Sequence, residues 1–324
     1  MLNILFMGTP DIAKDALEEV YKNKYNIIGV VTAVDKPKGR GMNLCPTPVK
    51  EYALEKNLKI YQPEKVKGNE EFIKEIKQLN PDIICIVAYG KIIPAEIINI
   101  PKYGAINVHY SLLPKYRGSA PIQWPVINGD ATTGVTSIYI NDVVDGGDII
   151  LQKETTIGEN ETTGELWERI SKLGAELLIE TLKQIESNSV VRKKQNEEEA
   201  TLAPMLYKEM GNIDWSAKTA SQIKNLVRGL NPIMGAYTYL NGKKLKIWKA
   251  QVIENEDLGN NISLETKVEG EVVYVDSKKG IYVKTLDKIL LIQEIQAENS
   301  KKMDAPDFLR GNKIEIGEIF KNTL

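Results

Sequence analysis

The chain has 324 residues, 42% of them hydrophobic, which is enough to bury the cores of two domains. Its net charge of −2 excludes a protein whose whole surface binds polyanions, although a local basic patch stays open. One histidine and two cysteines cannot build a usual zinc site, so we expect no bound metal.

The cysteines and the apolar runs indicate a compartment. Cys45 and Cys85 lie in no paired motif, and the first residues show no signal-peptide pattern, so the sequence predicts a cytoplasmic protein in a reducing environment. The longest apolar run is far shorter than the ~20 residues that a membrane helix needs, so we expect a soluble protein.

Residues 1–110 alternate between short apolar strands and amphipathic helices. After the first strand, Thr9 is a typical N-cap and Pro10 a typical first helical residue. The glycines of a dinucleotide fingerprint are incomplete here. The alternation predicts a doubly wound, mostly parallel α/β sheet. The predicted strands cover residues 3–7, 25–32, 59–62, 82–88 and 105–110, and the predicted helices cover 10–22, 48–56, 70–79 and 94–98.

A basic, glycine-rich loop over residues 35–43 follows the second strand. Lys38 and Arg40 on a flexible backbone suit contact with nucleic-acid phosphates. A solvated surface loop is an equally good interpretation of the same residues.

The strand over Ala105–Tyr110 carries the only histidine of the chain. Asn107 and His109 lie two residues apart, so their side chains project from the same face of the strand. A lone histidine in a strand is more often packed or exposed than catalytic, but asparagine is depleted in strands. An amide beside an imidazole suits the stabilisation of an oxyanion in acyl transfer. Pro114 ends the strand, and the carboxyl end of such a strand is where open α/β sheets bind ligands.

Residues 141–148 form an acidic segment with two glycines, before a strand that begins at Ile149. Composition alone favours a hairpin turn. The functional alternative is a carboxylate that orients a histidine or relays a proton. A calcium loop is disfavoured, because the ligand spacing and the closing glutamate are missing.

The second half of the chain changes character after a predicted helix over residues 163–187. A charged, polar segment over residues 188–207 indicates an interdomain linker. Beyond it, short strands alternate with tight turns, and Asn241-Gly242 is the strongest hairpin signal. This pattern predicts a small barrel, a fold that often binds nucleic acid.

A cluster of cations lies in the second strand of that hairpin. RNA contact and a solubilising strand face are equally good interpretations of it. The cluster comprises Lys243, Lys244, Lys246 and Lys249.

Together these segments resemble the methionyl-tRNA formyltransferase family over nearly the full chain. The combination of Asn-x-His with Asp-x-Gly-Asp is shared by all 10-formyltetrahydrofolate-dependent formyltransferases, so it indicates only the reaction class. The other segments make the resemblance specific. The matching segments are Phe6–Pro10, Asp35–Gly41, Thr47–Lys50, Ala88–Pro94, Ile106–Gly118, Ala120–Gln123, Asp145–Ile149, Arg228–Pro232 and Asp307–Gly311.

The resemblance implies an enzyme with three parts: a formyltransferase Rossmann-like domain over residues 1–187, a linker over 188–207, and an OB-like, tRNA-binding β-barrel over 208–324. It implies transfer of the formyl group of 10-formyltetrahydrofolate to the α-amino group of methionine on initiator methionyl-tRNA, for translation initiation. It also implies a monomer without membrane contact.

The resemblance also assigns residues. The implied catalytic trio is Asn107, His109 and Asp145. The implied folate-binding residues are Ala88, Tyr89, Gly90, Lys91, Ser111, Leu112, Leu113 and Pro114, beside the loop over residues 143–148. The implied tRNA contacts are Lys38 and Arg40 in the basic loop and Lys243, Lys244 and Lys246 in the barrel.

Departures from the family pattern leave the trio untouched. Tyr110 stands where the family commonly has alanine, and we expect it to alter packing beside the folate site. Gly146 stands where threonine is frequent, and Ala33-Val34 replaces Gln-Pro. The alternatives are a formyltransferase for a purine precursor or an amino-sugar nucleotide, and a non-catalytic nucleic-acid-binding protein, in which the trio would lie apart.

Overall fold

The computed structural model describes residues 1–38, 43–254 and 266–323, which form two compact units. Unit 1 comprises Met1–Pro121, Thr132–Thr156 and Trp167–Pro204, and unit 2 comprises Ile122–Ala131, Ile157–Leu166 and Met205–Leu324. Two stretches before residue 167 therefore pack with unit 2, and most of the predicted linker packs with unit 1. Packing does not test which segments fold independently, so the three-part division stays a prediction.

Unit 1 is built on a seven-stranded sheet with flanking helices. Two further pairs of strands, β3 with β4 and β8 with β11, lie outside this sheet. The strands of unit 1 are β1 (Asn3–Gly8), β2 (Asn26–Val31), β3 (Lys36–Lys38), β4 (Asn43–Cys45), β5 (Ile60–Tyr61), β6 (Ile83–Val87), β7 (Ala105–His109), β8 (Arg117–Gly118), β9 (Thr132–Tyr139), β10 (Ile149–Thr156) and β11 (Leu202–Ala203). The α-helices described in the chain are α1 (Asp11–Lys22), α2 (Pro48–Glu55), α3 (Glu70–Leu79), α4 (Ala95–Ile98), α5 (Gln123–Asn128), α6 (Thr163–Glu186), α7 (Ala220–Gly229) and α8 (Ala305–Gly311).

The main sheet has the order β10-β9-β7-β6-β1-β2-β5. The strands from β7 to β5 run parallel to one another, and β9 and β10 extend one edge in antiparallel fashion. The predicted mostly parallel sheet is therefore confirmed. Residues 4–7 of β1 are fully buried, as expected for a strand with both faces covered by helices.

The strand order reverses between β1 and β6, because the chain adds β2 on one side of β1 and then β6 and β7 on the other. The carboxyl ends of β1, β6 and β7 meet at this switch point, where such sheets bind ligands. Thr9 does not cap α1 as predicted. Its hydroxyl donates instead to the backbone oxygen of Tyr89, at 3.1 Å, and so connects the ends of β1 and β6.

Unit 2 contains a separate antiparallel sheet in the order β12-β13-β16-β15-β14. The Asn241-Gly242 turn has positive φ at both residues, 49° and 73°, as a two-residue hairpin of this kind requires. The strands are β12 (Ala236–Leu240), β13 (Lys243–Ile253), β14 (Val272–Asp276), β15 (Gly280–Lys284), β16 (Ile289–Ala297) and β17 (Met303–Asp304).

Residues 317–321 join the two edges of this sheet into a barrel. Lys321 exchanges two backbone hydrogen bonds with Tyr239 of β12, at 2.8 and 2.9 Å. On the other side, Phe320 donates to the oxygen of Gly270, and Val272 of β14 donates to that of Glu318, both at 2.8 Å. Helix α7 packs against β13 and buries its apolar face in the barrel core.

None of the helices in the described residues is both long and apolar enough to cross a lipid bilayer.

Candidate active site

The predicted trio converges at the carboxyl end of β7 in unit 1. Asn107 and His109 project from the same face of the strand, and the loop before β10 brings Asp145 to them. Nδ2 of Asn107 lies 3.5 Å from Oδ1 of Asp145, and Nδ1 of His109 lies 3.6 Å from Oδ2. A non-catalytic protein, in which these residues would lie apart, is therefore disfavoured.

The imidazole of His109 is buried, with 4% of the residue exposed. Its Nε2 lies 2.8 Å from the backbone oxygen of Tyr116. Because a carbonyl oxygen only accepts, Nε2 carries a proton and donates it in this bond. Nδ1 is the ring nitrogen that faces Asp145.

Asp145 is held by backbone geometry as well as by its side chain. Its Oδ2 accepts a hydrogen bond of 2.9 Å from the N–H of Gly118, and its own φ is +51°. Gly118 permits this contact, because a Cβ there would lie 2.6 Å from the oxygen of Ala203. Position 147 also has no room for a side chain, since a Cβ on Gly147 would lie 1.6 Å from the oxygen of Tyr139.

Three residues that the sequence did not single out hold the Asp145 loop. Nε2 of Gln195 donates to the backbone oxygens of Asp145 and Gly147, at 2.7 and 2.8 Å. Arg117 donates to Oε1 of Gln195 and forms a two-bond ion pair with Glu197. Gln195 and Glu197 lie in the segment predicted to be a linker, where nothing in the composition distinguishes them from solvated residues.

The turn over residues 111–114 is fixed by buried hydrogen bonds. The hydroxyl of Thr136 donates to the oxygen of Ser111 at 2.6 Å and accepts from the N–H of Leu113 at 3.2 Å. Gln152 Nε2 donates to the oxygen of Leu113 at 2.9 Å. The predicted folate residues Ser111, Leu112, Leu113 and Pro114 thus form a rigid turn directly after His109.

The second predicted folate segment follows β6. Ala88 and Gly90 have positive φ, 45° and 80°, and a Cβ at Gly90 would meet open space. The ring of Tyr89 is buried, whereas Ile92 is 80% exposed. Lys91 turns away from its own strand end, and its Nζ donates to the backbone oxygens of Pro63 and Glu64.

The side chain of Tyr110 packs against α6. It is buried, and a Cβ at Gly174 of α6 would lie 2.6 Å from its ring. The glycine in the helix thus accommodates the larger side chain at position 110.

The predicted tRNA contacts lie in two places. Arg40 is outside the described residues, as is the side chain of Lys38, and β3 and β4 pair on either side of them. In unit 2, the Nζ of Lys244 lies 3.5 Å from the ring centroid of Tyr237. Lys243 is exposed, but Nζ of Lys246 donates to the oxygen of Met234, and burial lowers its pKa, with smaller contributions from Lys244 and Lys208.

Within the described residues, no group of three or more His, Cys, Asp or Glu side chains is arranged to hold a metal ion.

The sequence matches two family profiles. The profile of the formyl transferase family covers residues 2–182, and that of the formyl transferase carboxyl-terminal domain covers residues 205–313. Methionyl-tRNA formyltransferase of Clostridioides difficile is 50% identical over 318 residues, which are 98% of this chain and 99% of that protein. Methionyl-tRNA formyltransferase of Caldanaerobacter subterraneus is 46% identical over 320 residues, 99% of this chain and 100% of that protein. The chain belongs to the methionyl-tRNA formyltransferase family.

Solved structures show how widely the fold is shared beyond the methionyl-tRNA formyltransferase family. A sugar 3N-formyl transferase, solved with dTDP and 5-N-formyl-THF, superposes with a TM-score of 0.65 at 22% identity, covering 93% of this chain and 99% of that one. The N-formyltransferase of Helicobacter canadensis, in complex with folinic acid and dTDP-3-aminofucose, has a TM-score of 0.64 at 20% identity, with coverages of 92% and 100%. These likenesses concern the fold alone.

Proposed function

We propose that this protein transfers the formyl group of 10-formyltetrahydrofolate to the α-amino group of methionine on initiator methionyl-tRNA. The observation that carries the proposal is the convergence of Asn107 and His109 on Asp145 at the carboxyl end of β7. Nδ2 of Asn107 and Nδ1 of His109 lie 3.5 and 3.6 Å from its two carboxylate oxygens. The near full-length likeness to methionyl-tRNA formyltransferases supports the choice of acceptor.

The reaction places negative charge on the formyl oxygen as the neutral amine attacks the formyl carbon. The amide of Asn107 donates to that oxygen, and a well-placed donor of this kind is typically worth about 3 kcal/mol in the transition state. His109 donates from Nδ1 only when its ring carries both protons, because Nε2–H is committed to Tyr116. The imidazolium is therefore the form of His109 that stabilises the oxyanion.

Asp145 takes the proton that the attacking amine must lose. One of its oxygens is fixed by Gly118, and the other faces the Asn107 amide at the longer distance of 3.5 Å. A carboxylate held in this way accepts a proton from the amine, directly or through water, and passes it to N10 of the leaving folate. The remaining contribution of the protein is to position the two substrates.

The loops around the trio fit a folate in their chemistry. Ile92 after β6 and Val143 and Val144 in the Asp145 loop are exposed apolar side chains, suited to a flat heteroaromatic ring. The positive φ at Ala88 and Gly90 turns backbone groups at the end of β6, where a ring can approach closely. The rigid turn at Ser111–Pro114 bounds the site on the β7 side.

The tRNA meets the basic loop around Lys38 and Arg40 and the outer face of the β12–β13 hairpin. The proposed setting is the cytoplasm, where cysteines that form no disulfide, such as Cys45 and Cys85, are usual. Each chain carries a whole trio within unit 1, so a monomer suffices for the reaction.

The test is formyl transfer by the purified protein from 10-formyltetrahydrofolate to four acceptors: charged initiator tRNA, charged elongator methionyl-tRNA, free methionine and an amino-sugar nucleotide. We expect turnover with initiator methionyl-tRNA that exceeds every other acceptor by at least about 100-fold in kcat/KM, which corresponds to about 2.7 kcal/mol. Preferred transfer to the amino-sugar nucleotide would overturn the assigned acceptor and leave the reaction class standing.

A further inference from the structure

The loop that carries Asp145 needs external support. Asp145 adopts a left-handed φ of +51°, a region that residues with a Cβ enter only at a cost. Among the described residues, a single bond of normal length reaches its carboxylate, from the N–H of Gly118, and Nδ2 of Asn107 lies at 3.5 Å. The loop has bonds of its own, from the N–H of Gly146 to the oxygen of Val143 and from Nδ2 of Asn141 to the oxygen of Gly146. The contacts to the backbone oxygens of Asp145 and Gly147 come from outside the loop.

Gln195 provides those contacts. Both hydrogens of its side-chain amide are used, one on the oxygen of Asp145 at 2.7 Å and one on that of Gly147 at 2.8 Å. These two carbonyls flank Gly146, so the amide spans the turn on either side of it. A rotation of the Asp145 peptide would break at least one of these bonds.

The orientation of the Gln195 amide is itself fixed. Its Oε1 accepts from Nε and Nη2 of Arg117, at 3.1 and 2.8 Å, so oxygen and nitrogen cannot exchange places. Arg117 is 6% exposed and donates two bonds of 2.8 Å to the carboxylate of Glu197. Hydrogen bonding to Glu197 raises the pKa of Arg117, which is a permanent cation in any case.

Backbone pairing anchors the segment at both ends. Lys193 exchanges two backbone hydrogen bonds with Ile149 of β10, at 2.8 and 2.9 Å. Further along, β11 pairs with β8, and the backbone N–H of Arg117 donates to the backbone oxygen of Thr201 at 2.8 Å. Gln195 therefore extends from a backbone that is fixed to β10 at one end and to β8 at the other.

We propose that Gln195 is a positioning residue for formyl transfer, which holds the Asp145 loop in the conformation that aims the carboxylate at His109 and Asn107. The inference rests on the proposed function, because it assigns Gln195 a role in that reaction. Arg117 and Glu197 serve Gln195 by locking its amide. The segment that the sequence presents as a linker thus completes the active site.

The first test compares two variants of Gln195 with a matched neighbour. Gln195→Glu keeps the acceptor for Arg117 but places an oxygen against two carbonyl oxygens, and Gln195→Ala removes the clamp without adding charge. Asn196→Asp makes the same amide-to-carboxylate change one residue later, where the side chain bonds only Glu198 and Glu199. Because a misplacement of about 1 Å costs on the order of 100-fold, we expect kcat to fall about 10- to 100-fold in both Gln195 variants. KM for either substrate should change less than about twofold, and Asn196→Asp should match the wild type.

The second test separates positioning from general structural support. If Gln195 acts through Asp145, then Gln195→Ala in an Asp145→Asn background should change the residual kcat by less than about twofold, because the two losses are not additive. The proposal would be overturned if the fold-losses in kcat of the two single variants multiplied in the double variant. It would also be overturned if the Gln195 variants had wild-type kcat. Wild-type turnover of initiator methionyl-tRNA in the same assay tests the proposed function separately, so a failure of one is distinguishable from a failure of the other.

Discussion

The backbone oxygen of Tyr116 accepts a hydrogen bond of 2.8 Å from Nε2 of His109, and this bond sets the tautomer of the only histidine. Tyr116 is itself fixed, with φ at +64° and its N–H donating to the hydroxyl of Thr201 at 2.9 Å. Asp145 lies 3.6 Å from the other ring nitrogen, beyond a normal hydrogen bond. We propose on this basis that the carboxylate serves as a proton acceptor and that the Tyr116 carbonyl, not Asp145, orients the ring.

This division of roles predicts that Asp145→Asn leaves the ring in place. In the neutral ring, the proton should stay on Nε2 in the variant as in the wild type, because the Tyr116 carbonyl is unchanged. Ring nitrogen and proton shifts in NMR spectra measure the tautomer without any assignment problem, since the chain has one histidine. A switch of the proton to Nδ1 in the variant would instead assign the orienting role to Asp145.

The same substitution should strongly reduce turnover. Asparagine preserves the shape and can still accept from Gly118, but it cannot take a proton from the amine. Loss of general-base catalysis typically costs 10²- to 10⁴-fold, so we expect kcat to fall at least about 100-fold with little change in either KM. The kcat of His109→Ala should fall to a similar extent. Circular dichroism checks folding, and near wild-type turnover in either folded variant would remove that residue from the mechanism.

Thr136 and Thr133 provide a matched pair for stability. Both are buried in β9, but the hydroxyl of Thr136 bonds to residues 111, 113 and 152, whereas that of Thr133 has no partner among the described residues. Thr136→Val should lower the free energy of unfolding by about 1–3 kcal/mol, because it leaves buried backbone groups without a hydrogen-bond partner. Thr133→Val should be neutral or stabilising, because it removes an unpaired hydroxyl.

Urea unfolding of both variants measures this difference. KM for the formyl donor should also rise in Thr136→Val alone, since the turn at Ser111–Pro114 loses its two hydrogen bonds to Thr136. Equal destabilisation by the two substitutions would mean that the hydrogen bonds of Thr136 contribute nothing beyond packing.

Local signals predicted those parts of the fold that local contacts determine. The helix predicted over residues 48–56 begins at Pro48, where Thr47 accepts from the N–H of Lys50, and Asn241-Gly242 forms the predicted hairpin turn. Thr9 shows the limit. Its sequence context is that of an N-cap, but its partner is Tyr89, 80 residues away, and a contact so distant leaves no local pattern.

The candidate site divides along the same line. Asn107 and His109 were recognisable because the strand period places them on one face. Gln195 and Glu197 were not, because their role depends on Arg117, which lies 78 and 80 residues away. A charged segment between two folded parts has the composition of a linker whether or not one of its side chains reaches the active site.

Tyr89→Phe tests a buried hydroxyl that has no hydrogen-bond partner among the described residues. Burial raises the pKa of Tyr89 to about 12, against about 10 in an unfolded chain. Between these values the unfolded state has released the proton and the folded state has not, so this group makes stability fall as the pH rises. Phenylalanine cannot ionise, and the variant should therefore lose stability less steeply than the wild type from pH 10 to 12.

Unfolding in urea at several alkaline pH values measures the two slopes. Formyl transfer near neutral pH should stay within about twofold of the wild type, because the ring of Tyr89 lies in the core. A raised KM for the formyl donor would indicate that the hydroxyl takes part in folate binding.

Arg40→Ala tests the basic loop as a tRNA contact. Loss of one phosphate contact should raise KM for the charged tRNA and reduce the slope of log KM against log salt by about 0.7–0.9. KM for the formyl donor should stay nearly unchanged. An equal loss of folate affinity would refute the assignment of the loop to tRNA.

Lys244→Ala tests the barrel face in the same way, with a control of identical charge. Lys244 lies on β13 beside Tyr237, whereas Lys278 is exposed in the turn between β14 and β15, strands that do not pair with β12 or β13. Lys244→Ala should raise KM for the tRNA and flatten its salt dependence, because a phosphate contact is lost. Lys278→Ala changes the net charge by the same amount and should leave both quantities at wild-type values. Equal effects of the two substitutions would mean that the tRNA responds to the total charge of unit 2, and the β12–β13 face would then lose its claim to be a specific contact.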